Sequence, residues 1–164
     1  NVNGDELDRL VLQEIFDYNT NGSIVNTQLS VLRKQINSIE DDISVWIKKL
    51  NSKKSENEKA IDNLVNALAN GATKLTITAI NKKIAELNEY NNVIDIQIAE
   101  YNDKNLIQSQ MHKTLNSIED AILHLKMKFD ELSIENKREY IKKIIDKVVW
   151  DGEAAHIFIK GSTI

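Results

Sequence analysis

The three histidines, His112, His124 and His156, have the intrinsic pKa that general acid–base chemistry near neutrality needs, and each stands alone. His112 and His124 fall on one helical pattern at i and i+12, with no Asp or Ser at a useful spacing. His156 lies inside a terminal apolar run, and all three read as surface or boundary residues. Cysteine is absent, so the sequence offers no thiolate nucleophile and no zinc cluster. The carboxylate runs Glu40-Asp41-Asp42 and Glu119-Asp120 read as solvated helix faces, not as an acid and base facing each other. No catalytic and no metal-ligating set emerges. The basic cluster Lys137, Arg138, Lys142, Lys143 and Lys147 is interleaved with Glu135, Glu139 and Asp146. Two readings of it stay open: the wet face of an amphipathic helix, or phosphate contacts that position a protein on DNA without reading its sequence.

The elements that would position these residues are helices. Proline is absent and glycine occurs five times in 164 residues, so little interrupts a helix. Charged residues make up 28% of the chain and aromatics 5%, a balance suited to solvated helices more than to a compact globule. A net charge of −4 gives no bulk attraction to nucleic acid. No apolar run reaches the length of a membrane span, and the first residues do not resemble a signal peptide. The chain does not begin with Met, which fits a piece of a longer protein, and the lack of cysteine is compatible with a cytoplasmic location.

The stretch 29–107 carries the clearest pattern. Leu29, Leu32, Ile36, Ile39, Ile43, Trp46, Leu50, Lys53, Asn57, Ala60, Leu64 and Ala67 form an a/d heptad seam broken only at Lys53 and Asn57. After a break at Asn70-Gly71, a second seam runs through Ile77, Ile80, Ile84, Leu87, Asn91, Ile94, Ile98 and Tyr101. Folding the second back on the first pairs Ala67 with Ile77, Asn57 with Leu87, Lys53 with Asn91, Trp46 with Ile98 and Ile43 with Tyr101. At roughly 1.5 Å per residue such an antiparallel hairpin is about 60 Å long.

The flanks differ. Leu7, Leu10, Val11, Ile15 and Tyr18 mark one face of a short helix capped by Gly4-Asp5, and a polar loop follows over 19–23. Beyond Tyr101 the return seam degrades, and a new phase through Met111, Leu115, Ile118, Ile122, Leu125, Phe129 and Leu132 predicts new packing partners. Ser133 caps a further helix whose apolar face is Ile134, Ile141, Ile144, Ile145 and Val148. Val148 to Trp150 and Ala155 to Ile159 then predict two short strands around Asp151-Gly152. The expected fold is all-α: a long antiparallel coiled-coil hairpin on a small helical base, with a short C-terminal β-ribbon. The base helix and loop take 1–23, the arm 24–110 with its tip at 69–75, further base helices 111–148, and the ribbon 149–164.

Two segments carry a family resemblance. Leu132-Ser133, Lys137-Arg138, Ile144-Ile145 and the closing Val148-Val149-Trp150-Asp151-Gly152 resemble the C-terminal end of the large serine recombinases, the phage integrases and mobile-element transposases of Gram-positive bacteria. Asn3-Gly4-Asp5-Glu6-Leu7-Asp8-Arg9-Leu10-Val11 looks like the helix that follows the last zinc cysteine of that family. The family inserts a long coiled-coil hairpin between these two places, so the resemblance spans the chain. It implies a site-specific DNA recombinase whose catalytic serine lies in an N-terminal domain outside this sequence. It also implies zinc in the preceding part of the parent and no cofactor in this chain. No catalytic residue carries over.

The implied role is subunit–subunit contact on synapsed DNA and control of recombination direction. Other recombinase subunits would bind through the arm's tip, DNA would bind through the parent, and a directionality-controlling protein is a further implied partner. No membrane is expected. Val65, Leu68, Leu75 and Ile77 cluster near the turn, where no further layer covers them, and two readings stay open: they are the expected contact, or they cap the hairpin's own core. The rival reading is a structural coiled-coil spacer or interaction module of a phage or surface protein. A spacer would project its ends apart, whereas the expected hairpin returns both to one place.

Overall fold

The computed structural model of the chain describes residues 4–18 and 22–162. Among them are four helices, α1 (Gly4–Phe16), α2 (Ile24–Ala69), α3 (Lys74–Lys128) and α4 (Ile134–Ile144). A two-stranded antiparallel sheet follows, β1 (Ile145–Trp150) and β2 (Ala155–Ile159). The two long helices pack together. The chain divides into two compact units, Asn1–Ser38 with Gln108–Ile164, and Ile39–Ile107. No helix among the described residues is long and apolar enough to cross a membrane.

In the first unit, apolar faces from every element meet in one core. Val11 and Ile15 of α1 join Val25, Leu29, Leu32 and Ile36 of α2. Leu115, Ile118, Ile122 and Leu125 supply the α3 face, in the phase expected beyond Met111. Ile144, Ile157 and Ile159 close it from α4 and the sheet. The division between units therefore falls at 38/39 and 107/108, where the sequence suggested an arm over 24–110. The start of α2 belongs with the first unit because its apolar stripe, Val25, Leu29, Leu32 and Ile36, lies in that unit's core. Phe16 and Phe129 meet edge-to-face, 5.1 Å between centroids.

The joints are closed by side chains. Ser23 caps α2, its Oγ accepting the Asn26 N–H at 3.3 Å, while Glu14 of α1 accepts the Ile24 N–H at 3.0 Å. Tyr18 donates to Glu119 of α3 at 3.0 Å, and Arg33 of α2 pairs with the same carboxylate. Burial, then the bond to Glu119, raises the Tyr18 phenol pKa, so the donor stays protonated. Ser133 caps α4 as expected, accepting the Asn136 N–H at 3.2 Å. Gly4 and Asp5 form the first turn of α1 instead of preceding it. The expected polar loop at 19–23 falls largely on residues 19–21, outside the described residues, as does Asn3 of the family resemblance.

One boundary differs from expectation. The helix begun at Ser133 ends at Ile144, and Ile145 to Val148 are strand, with Ile145 at φ −97° and ψ 131°. Ile144-Ile145 and Val148-Val149 are β-branched pairs, which lose little in an extended chain and pack well on a pleated surface. Val148 pairs with Ile157 and Trp150 with Ala155.

The sheet is held to α2 by one residue that its sequence context does not single out. Gln28 donates from Nε2 to the Ile157 carbonyl at 2.6 Å and accepts the Ile159 N–H on Oε1 at 2.9 Å. Its amide thus stands where a third strand would stand and satisfies the outer edge of β2. Gln28→Ala should cost about 1–3 kcal/mol, because two partly buried backbone groups lose their partner. Denaturant unfolding gives the loss, and hydrogen exchange at the Ile159 amide should accelerate with it.

In the second unit the covered positions of α2 are Glu40, Ile43, Ile47, Leu50, Lys54, Asn57, Ala60, Ile61, Leu64 and Leu68, and from Ile43 to Leu68 they follow alternating four- and three-residue steps except at the Ala60-Ile61 couple, where both are covered. Those of α3 are Ile80, Ile84, Leu87, Asn91, Ile94, Ile98 and Tyr101, as expected, but Ile77, expected at the head of that seam, is 39% exposed. One flank of the α2 seam is corrected: Ile39, Trp46, Lys53 and Ala67 are exposed, and their C-terminal neighbours Glu40, Ile47, Lys54 and Leu68 are the more covered. The pairing is corrected too. Asn57 donates to Asn91 at 2.9 Å, Lys54 pairs with Asp95 at 2.6 Å, and Trp46 stacks on Tyr101 at 6.5 Å. Partners run in opposite directions along the two helices, one step displaced from the expected alignment. Two buried amides satisfy each other where Asn57 against Leu87 would have left one orphaned.

Candidate interaction surfaces

The described contacts of His124 and His156 are structural ones. His112 is half-buried on α3, and exposed His124 stacks on Tyr140 of α4, 5.9 Å between ring centroids. His156 of β2 donates from Nε2 to Asp151 Oδ2 at 2.6 Å. Among the described residues, no group of three or more His, Cys, Asp or Glu could hold a metal ion.

The His156 contact belongs to the hairpin turn. Asp151 Oδ1 accepts the N–H groups of Glu153 and Ala154, both at 2.8 Å, while Gly152 supplies the left-handed φ of +107°. The His156 bond first, then the Ala154 and Glu153 N–H groups, hold the Asp151 carboxyl well below the usual carboxylate range. A depressed folded pKa contributes stability that is complete above the unfolded value and is lost as pH falls through the folded one. The turn should therefore persist through pH about 4, where an ordinary Asp titrates. A carboxyl-carbon NMR titration of Asp151 checks this, and a midpoint at the ordinary value would remove the argument.

The turn between the long helices lies in the second unit. Gly71, at φ +92°, follows α2, and Gly71 N–H reaches the Leu68 carbonyl at 3.3 Å. Thr73 caps α3, its Oγ1 accepting the Thr76 N–H at 3.3 Å, so the helix begins at Lys74, a little earlier than Thr76. Around this turn Leu75 is 83% exposed, Val65 48% and Ile77 39%. Leu68 is half-buried, on the covered side of α2. Three of the four residues singled out in the sequence are thus solvent-facing apolar side chains, and Leu68 is half-buried.

The five basic residues do not share one face. Lys137, Arg138, Lys142 and Lys143 lie on α4, but Lys147 lies on β1. Lys137 Nζ rests 4.1 Å from the centre of the Phe129 ring, and Lys147 Nζ 5.1 Å from that of Phe158. Lys142 pairs with Glu139 at 3.1 Å. Lys142 and Lys143 instead line a cleft with Lys113 of α3 and Lys160 beyond β2. Lys113 and Lys160 lie far from that cluster in sequence, so only the fold brings them to it. Comparisons with protein-family models, curated proteins and solved structures found no match to this chain.

Proposed function

We propose that this chain is an antiparallel coiled-coil hairpin on a small helical base, and that it is the non-catalytic coiled-coil domain of a site-specific serine DNA recombinase. Its task is subunit–subunit contact in the synaptic complex and control of recombination direction. One observation carries the reading. The two segments that bear the family resemblance, at opposite ends of the chain, contribute to one core: Val11 and Ile144 are buried in it, and Leu132, Tyr140, Ile141 and Val148 pack against it. Residues Ile39–Ile107 form a separate unit between them. A spacer has no need of flanks that pack together, whereas an inserted interaction module does. The alternating three- and four-residue spacing of covered positions on both long helices supports the coiled coil.

On this reading the catalytic serine and the zinc ribbon precede Asn1, and the protein works in the cytoplasm on DNA, with other subunits and a directionality-controlling protein as partners. The coding sequence upstream of Asn1 tests it. A resolvase-like domain followed by four cysteines is the expected result, and any other upstream context overturns the assignment.

The same reading sets the DNA affinity of this chain by itself. With a net charge of −4, it should bind duplex weakly, without sequence preference and with a steep salt dependence. Fluorescence anisotropy at two salt concentrations measures this. Nanomolar, sequence-specific binding by this chain would move DNA recognition into it.

A further inference from the structure

The cleft between α3, α4 and the end of β2 has a chemistry of its own. It has a volume of about 490 Å³ and is lined by Lys113, Lys142, Lys143 and Lys160, with the hydroxyls of Thr114 and Ser117 and no carboxylate among the described residues. Its floor is Ile118, buried at 1% exposure. The chain as a whole carries −4, so this is a local reversal of sign. Two of the lysines have acidic neighbours at the rim, Lys142 with Glu139 at 3.1 Å and Lys160 with Asp146 at 3.5 Å. Such solvent-exposed pairs are worth little and are readily exchanged for a better anion. Lys143 Nζ lies 5.4 Å from the centre of the Tyr140 ring. Even with both rim pairs intact, Lys113 and Lys143 leave the cleft positive. The Thr114 hydroxyl is already donated to the Gln110 carbonyl at 3.1 Å, so Ser117 is the hydroxyl donor left to a ligand.

We infer that this cleft is a binding site for phosphate groups, held by Lys113, Lys142, Lys143 and Lys160 as charges and by Ser117 as a hydrogen-bond donor. Ammonium groups recognise phosphate as point charges that move to suit it, which fits an open cleft without an enclosing cradle of backbone N–H groups. The inference stands on the cleft and not on the recombinase reading, so either can fail without the other.

The test uses the full 164-residue chain and two probes, inorganic phosphate and a short duplex of arbitrary sequence, each titrated at low salt and followed by amide NMR shifts. Shifts should concentrate at Thr114, Ser117, Lys143 and Lys160. The variant Lys113→Gln with Lys143→Gln should weaken binding about tenfold, and with duplex should reduce the log–log salt slope by about two. The control Lys137→Gln with Lys147→Gln changes lysines outside the cleft and should stay within about twofold. Tighter binding of duplex identifies the phosphate as that of a nucleic-acid backbone, and saturation by inorganic phosphate alone identifies a free anion. The inference is overturned if neither probe shifts the cleft, or if the control pair loses as much affinity as the cleft pair.

Discussion

Replacing Leu75 and Val65 together by Glu should leave helicity and melting of this chain nearly unchanged and abolish synapsis by the full-length recombinase proposed above. Both side chains are solvent-facing, 83% and 48% exposed, so their loss removes little from the folded state. Association is where they would count. A leucine-sized side chain contributes about 1.5–3 kcal/mol when fully covered, whereas bringing two bodies together costs about 4–15 kcal/mol. A contact of so few residues cannot hold two free molecules. It can hold two subunits that DNA already keeps at high effective concentration, which suits an interaction that must wait for the right complex. Four carboxylates introduced across such a contact would be desolvated without partners, so loss should be complete. Leu68→Glu serves as the contrast: it charges a half-buried position and should loosen the turn itself. Normal synapsis by the folded Leu75/Val65 variant would remove the turn from the proposed interface.

The second large effect is expected at Asn57 and Asn91, buried at 7% and 8% exposure and bonded to each other at 2.9 Å. Asn91→Leu alone leaves the Asn57 amide buried without a partner and should cost about 1–3 kcal/mol. Changing both to Leu replaces a polar layer by an apolar one and should make the chain more stable than the original, so the double-mutant cycle shows strong coupling. What the double variant loses is specificity of alignment. Extending the Asn57–Asn91 alignment by one heptad sets Leu50 opposite Ile98, so cysteines at those two positions should cross-link readily in the original background. In the Leu/Leu background, cysteines at Leu50 and Ile94 should cross-link as well. Equal stability of all four variants would mean that the amide pair does not set the register.

How far the residues alone reach is clearest where the two long helices meet. On α3 the three- and four-residue steps through Ile84, Leu87, Ile94 and Ile98 mark one helical stripe, and it is the one covered, although Val93 and Ile96 beside it are also apolar and stay exposed. On α2, apolar residues come in adjacent couples, Trp46-Ile47, Ala60-Ile61 and Ala67-Leu68, and periodicity admits either member. Packing chose Ile47 and Leu68 for cover, while the bulky Trp46 ring lies against Tyr101 with Lys49 Nζ 5.0 Å from its centre. The alignment was illegible for a related reason. Two regular seams match layer for layer in any register displaced by a whole step, and a constant pairing sum holds in all of them. The choice fell to Asn57 and Asn91, because buried amides must find each other.

The cap at Ser133 and the turns at Asn70-Gly71 and Asp151-Gly152 were readable because their chemistry acts within a few residues, whereas Gly4-Asp5, expected as a cap, is the first turn of α1. The presence of exposed apolar residues beside the helical turn was readable for the same reason. The end of α4 was not, since a β-branched stretch at Ile144-Ile145 suits either helix or strand until pairing with Ile159 decides it. Nor could the residues alone show that Gln28 would complete the edge of β2, or that Lys113 and Lys160 would join Lys142 and Lys143 in one cleft. Hydrophobic period and turn chemistry are properties of neighbours in the chain, and the sequence determines them. Which stripe is covered, which register holds and which distant charges converge depend on burying every polar group with a partner, and only the tertiary structure decides that.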